Sequence, residues 1–139
     1  MARLTWGNMA DSREPAAMRF LRPSDRQSTL EAGVSSTSWP FTVAAGHPCF
    51  AGHFDGEPVL PGVAHLSVAL EACTLLNPAL PPLVALEDVR FMRALLPGDA
   101  CHVAITDGRE SSSRRFEIRC QGDAASRGVL VFAGPWAGQ

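Results

Sequence analysis

An excess of charge of either sign is missing from this chain of 139 residues: the formal net charge is −2, which gives no electrostatic footing for nucleic acid or an anionic membrane surface. Long hydrophobic runs are also missing. The longest apolar stretch, around Val63 to Leu76, is too short and too interrupted to span a bilayer. No secretory signal pattern is evident, because Arg13, Glu14 and Arg19 break any apolar core near the start. A cytoplasmic location is therefore expected. Cysteine is sparse: Cys49, Cys73, Cys101 and Cys120 form no Cys-x-x-Cys pair, which argues against a structural zinc site, and free thiols rather than disulfides are expected in that compartment. Cys49 stands near His47, but no orienting motif surrounds them, so a Cys–His nucleophile is discounted. Internal repeats are absent, and neither a metal nor a cofactor is expected.

What is present suits one compact domain, since 46% of residues are hydrophobic. Residues 1–25 lack strand or helix periodicity and read as a flexible N-terminal segment, with a single domain over 26–139. Thr29 to Val34 and Trp39 to Ala44 alternate as strands do, separated by the turn-prone Ser35-Ser36-Thr37-Ser38. A helix is expected from about Gly62 to Leu76, closed by Asn77-Pro78. Leu83 to Leu96 reads as a long strand bent near Glu87-Asp88, and Pro97-Gly98-Asp99 turns the chain into Cys101 to Thr106. Further strands are expected at Arg114 to Gln121 and Gly128 to Ala133. The helix is apolar around most of its circumference, which indicates burial on all sides. An α+β plan follows, in which an antiparallel sheet wraps one long buried helix.

One segment carries more information than the rest: Gly52-His53-Phe54-Asp55-Gly56-Glu57-Pro58-Val59-Leu60-Pro61-Gly62-Val63. Proline fixes φ and glycine permits angles denied to other residues, so this backbone has little freedom. Pro61 stands where a helix would start, a place that tolerates its missing N–H. A rigid histidine-bearing loop thus feeds the N-terminus of a buried helix.

The pattern Gly-His-Phe-x-Gly-x-Pro-Val-x-Pro-Gly-Val resembles the active-site segment of hotdog-fold 3-hydroxyacyl-(acyl carrier protein) dehydratases. It is closest to the branch associated with aryl polyene and polyketide-like clusters. Val89-Arg90-Phe91-Met92-Arg93-Ala94-Leu95-Leu96-Pro97-Gly98-Asp99 resembles the family's strand entering a Pro-Gly-Asp turn. The resemblance spans roughly residues 28 to 133 and implies the hotdog fold. It further implies a substrate linked to acyl carrier protein, and a site built across a homodimer or a heterodimer of hotdog subunits.

Dehydration of a 3-hydroxyacyl thioester needs a base for the proton beside the carbonyl, a donor for the carbonyl oxygen, and an acid for the departing hydroxyl. The resemblance makes His53 the base; the alternative is a histidine that merely packs the loop. The backbone N–H of Gly62 or Val63 would serve the carbonyl, since a helix N-terminus offers unpaired donors and partial positive charge. Phe54, Pro58 and Ser67 join Gly62 and Val63 as expected substrate-binding residues. The family carries Glu or Asp on the helix where this chain has Ser67. The acid is then either Glu71, one turn further along the same side, or a carboxyl group of a second subunit. Glu71 could equally be neutralised by an arginine such as Arg90 or Arg93, or reach solvent. His65 reads as a core or interface histidine with no catalytic role. The alternatives to a dehydratase, or one subunit of one, are a non-catalytic hotdog partner and an acyl thioesterase using Glu71 to activate water.

Overall fold

The computed structural model describes residues 19–43 and 62–136; His53, Phe54 and Pro58, like His47 and Cys49, lie outside the described residues. Within them are strands β1 (Gln27–Glu31) and β2 (Val34–Thr42), helix α1 (Gly62–Leu76), and strands β3 (Leu83–Phe91), β4 (Ala100–Asp107), β5 (Ser113–Cys120) and β6 (Asp123–Phe132). The strands form one antiparallel sheet in the order β1-β2-β4-β5-β6-β3.

Turn chemistry explains where the strands begin and end. Ala32 and Gly33 both have positive φ, +50° and +81°, the requirement of a two-residue hairpin turn whose twist matches its strands. That turn replaces the one expected at Ser35-Ser36-Thr37-Ser38. The serines lie inside β2, where Ser36 to Ser38 pair with both β1 and β4: Thr37 stands opposite Ser28 on one side and Ile105 on the other. Two flanking ladders outweigh the turn preference of serine. Gln121 and Gly122 repeat the device at φ +53° and +89°, so β6 starts at Asp123, earlier than expected. Pro97-Gly98-Asp99 turns as expected, with Asp99 N–H donating to the Leu96 carbonyl at 3.0 Å and Gly98 at φ +92°.

The expected bend in β3 is real, and its cause lies on the neighbouring strand. Pairing with β6 is irregular between Glu87 and Arg90, and Asp88 takes φ +52°. A Cβ on Gly128 would come within 2.8 Å of Val89 Cγ2 and 2.9 Å of Phe116 Cε1. Only a residue without a side chain lets β3 cross β6 there. The strand then ends at Phe91 rather than Leu96, because Met92 and Arg93 direct both N–H groups to the Ala125 carbonyl.

The core lies between the inner sheet face and α1. Inward positions alternate along β4 (Val103, Ile105), β5 (Phe116, Ile118) and β6 (Leu130, Phe132), with Trp39 of β2 fully enclosed. Eight of the fifteen α1 residues are buried, and the helix packs chiefly on β4 and β5. Each fully buried Ile, Leu or Val contributes about 1.5–3 kcal/mol relative to exposure. The sheet wraps the helix in the hotdog arrangement. Residues assigned to the N-terminal segment by sequence also contribute: Leu21 is buried, and Phe20 meets Phe41 edge-on at 6.0 Å.

Candidate active site at the helix N-terminus

Among the polar side chains of the apolar helix α1, the fold resolves Ser67 and Glu71 differently. Ser67 and Glu71 share one side of the helix, one turn apart; His65 lies roughly 160° from Ser67. The Ser67 hydroxyl donates to the Val63 carbonyl at 3.1 Å, a local bond that serine commonly makes inside helices. Glu71 accepts the backbone N–H groups of Phe20 and Leu21 on its two carboxylate oxygens, at 3.0 and 2.8 Å. Charge-assisted bonds of this kind are short and strong. They tie the N-terminal segment across the helix. Of the arginines expected to neutralise Glu71, Arg93 is engaged elsewhere: it donates to the Cys120 carbonyl at 3.1 Å and lies 3.8 Å from both Asp99 and Asp123.

His65 is buried at 2% exposure. Its Nδ1 is 2.9 Å from Ser126 Oγ, and Phe91 meets the ring edge-on at 5.3 Å. Burial lowers its pKa to about 4, because desolvation disfavours the charged ring. The imidazole is therefore neutral at physiological pH, as a core histidine should be.

Around this residue lies a recess of about 390 Å³ walled by Gly62, His65, Phe91, Met92, Arg93 and Ala94. It opens at the start of α1, where the first N–H groups of a helix have no intrahelical acceptor. Gly62 has a packing reason as well as a chemical one: a Cβ there would meet the Phe91 ring at 3.2 Å. Val63, beside it, is exposed. The structure thus brings Gly62 and the recess together, while Val63 lies on the helix side of Ser67 and Glu71, roughly opposite His65. Phe91 and Met92 as recess walls escaped the sequence reading, since nothing local marks the end of a strand as facing a helix N-terminus 29 residues earlier in the chain, the spacing from Gly62 to Phe91. A larger groove of about 850 Å³ runs over the outward side of the sheet. Side chains of both signs line it, among them Arg115, Arg127, Glu87 and Glu117, and it does not reach α1.

A helix wrapped by an antiparallel sheet, with a recess opening at its first residue Gly62, is the hotdog framework. Residues 28–129 match the model of the ApeI-like family, described as ApeI dehydratase. The 3-hydroxyacyl-acyl-carrier-protein dehydratase FabZ of Anaeromyxobacter sp. (strain Fw109-5) is 34% identical over 86 residues, covering 54% of each chain. FabZ of Haemophilus influenzae (strain 86-028NP) is 37% identical over 100 residues, covering 66% of this chain and 57% of the relative. The chain thus spans about half the length of the curated relatives it matches. Among solved structures, the dehydratase heterocomplex ApeI:P from Xenorhabdus doucetiae superposes with a TM-score of 0.64 at 24% identity, over 76% of this chain and 92% of that one; this is a likeness of fold. The protein belongs to the ApeI-like dehydratase family.

Proposed function

We propose that this protein is a subunit of a dehydratase acting on 3-hydroxyacyl thioesters carried by acyl carrier protein, with its acid supplied by a second hotdog subunit. In this reading His53 removes the proton beside the thioester carbonyl, and the Gly62 or Val63 N–H holds the oxygen on which charge builds. A carboxylic acid from the partner protonates the departing hydroxyl, giving an enoyl thioester and water. Phe54 and Pro58 of the loop, with Ser67 on the helix, border the substrate.

The observation that carries the choice of partner is the state of Glu71. Both of its oxygens accept backbone N–H groups from Phe20 and Leu21, a structural role that leaves it poorly placed to give up a proton. Ser67 cannot substitute, since a hydroxyl is far too weak an acid. Strand β3 supports association: it lies at a sheet edge, yet Val84, Leu86 and Phe91 are exposed on it at 62%, 39% and 50%. An apolar edge of this length is a template for a further strand. No helix among the described residues is long and apolar enough to cross a membrane.

The test is turnover of a 3-hydroxyacyl carrier-protein thioester by the pure protein, alone and with a hotdog subunit that retains the helix carboxylate. The assembly is expected to dehydrate and the isolated protein to be inactive. His53→Ala should lower the assembly's rate by about two to four orders of magnitude. Glu71→Gln should leave that rate near wild type while lowering stability by about 1–2 kcal/mol. Turnover by the isolated protein that disappears in Glu71→Gln would return the acid role to Glu71. Inactivity in every pairing would favour a non-catalytic partner, and release of free acid a thioesterase.

A further inference from the structure

Two of the cysteines, separated by 19 positions, meet inside the sheet. Cys101 on β4 and Cys120 on β5 are direct cross-strand partners, both facing the core. Their sulfurs stand 2.7 Å apart, closer than unbonded sulfur atoms normally rest. The ladder shows why. Gln121 N–H donates to the Ala100 carbonyl at 3.3 Å, which makes 100 and 121 a hydrogen-bonded pair. The adjacent pair, Cys101 and Cys120, is then non-hydrogen-bonded, the position where facing Cα atoms approach to about 4.5 Å. A disulfide requires Cα atoms roughly 4.4–6.8 Å apart. A non-hydrogen-bonded pair falls within that range.

A bridging metal does not fit the same geometry. Thiolates bound to zinc at about 2.3 Å would hold their sulfurs well beyond this separation, and no group of three or more metal-ligating side chains occurs among the described residues.

We propose that Cys101 and Cys120 form a cross-strand disulfide site, whose co-reactant is a small-molecule disulfide. In the first step one cysteine thiolate attacks the reagent's S–S bond, forming a mixed disulfide and releasing one thiol. The second cysteine then attacks the protein-side sulfur of that bond and releases a second thiol. The two cysteines lose two protons and two electrons, both taken by the reagent as it becomes two thiols. The bond would lock β4 to β5 beneath Arg93, which donates to the Cys120 carbonyl and also walls the recess at the start of α1. Burial raises the Cys101 thiol pKa well above its ordinary value, and its bond to Cys120 adds to this. Exchange therefore proceeds through local opening at the sheet end, where Cys120 borders the Gln121-Gly122 turn. The inference is independent of the dehydratase reading.

The experiment takes the full chain, purified under reductant, into oxidised and reduced glutathione at graded ratios. Quenched samples are digested without reduction, and disulfide-linked peptides are identified by mass. The expected result is a reductant-sensitive Cys101–Cys120 linked peptide in a protein lacking two hydrogens, with a melting temperature raised by roughly 5 °C or more over the reduced form. Cys120→Ser should abolish both the linked peptide and the rise. The wild-type peptide map stands even if that variant folds poorly. Glutathione adducts without the internal link, oxidation confined to Cys49 or Cys73, or a linked form that melts lower than the reduced protein would overturn the proposal.

Discussion

The two edges of the sheet are built to opposite specifications. Strand β1 is five residues long, Gln-Ser-Thr-Leu-Glu, and every one of them is exposed. Strand β3 is nine residues long and almost as exposed, but it reads Leu-Val-Ala-Leu-Glu-Asp-Val-Arg-Phe. A short polar edge deters further strands, whereas a long apolar one invites them. Pairing of β3 with β6 is irregular between Leu83 and Ala85 and again between Glu87 and Arg90, and the regular stretch between them, Ala85 to Glu87, carries the exposed Leu86. One edge ends the sheet; the other is where a second subunit would continue it. The same β3 finishes at Phe91, against the recess at the start of α1, so an interface along this edge would run into the candidate site.

The comparison breaks most directly at β3. Placing like charges on it, as Val84→Glu with Leu86→Glu, should weaken self-association or pairing with a hotdog partner about a thousandfold, roughly 4 kcal/mol, because charges would be buried without partners. Sedimentation across a concentration series measures it. Unchanged association would mean that β3 is not the contact edge.

A smaller effect tests what holds the end of β3 in place. His65 lies under Phe91 and bonds Ser126, and its folded pKa of about 4 is below the ordinary 6.5. Between those values the unfolded chain binds a proton that the folded protein refuses. Stability is therefore complete above about pH 6.5 and is lost as pH falls towards 4, by about 3 kcal/mol. Denaturant unfolding across this range should show the loss in wild type and a shallower one in His65→Asn, which keeps a hydrogen-bonding group without a titration near neutrality. Parallel slopes would remove His65 as the cause.

The smallest effect belongs to the other edge. Leu30→Lys on β1, a position 73% exposed, should change stability by no more than about 0.5 kcal/mol and leave association untouched. A large change in either, by urea unfolding or sedimentation, would show that β1 is also covered and that the two edges do not differ as described.

Local chemistry made much of this protein legible from its residues. Helix α1 was expected at Gly62 to Leu76 and runs over those residues, since a Pro-Gly start and an Asn-Pro stop are local signals. The bend near Asp88 and the Pro-Gly-Asp turn are of the same kind. The loop motif pointed to the family because its residues are contiguous. Other features depend on segments far apart in the chain. The Glu71 carboxylate is met by backbone 50 and 51 positions away, and His65 by a serine 61 positions away. Neither partner leaves a trace near the residue it serves. The serines of β2 look like a turn until two neighbouring strands supply their ladders. Cys101 and Cys120 look like scattered thiols until β4–β5 pairing sets them face to face. Propensity and spacing act within a few residues and decide which elements form. Strand order and side-chain pairing are settled only when distant segments are brought together, so the exposed edge, the clamped carboxylate and the paired cysteines belong to the tertiary structure alone.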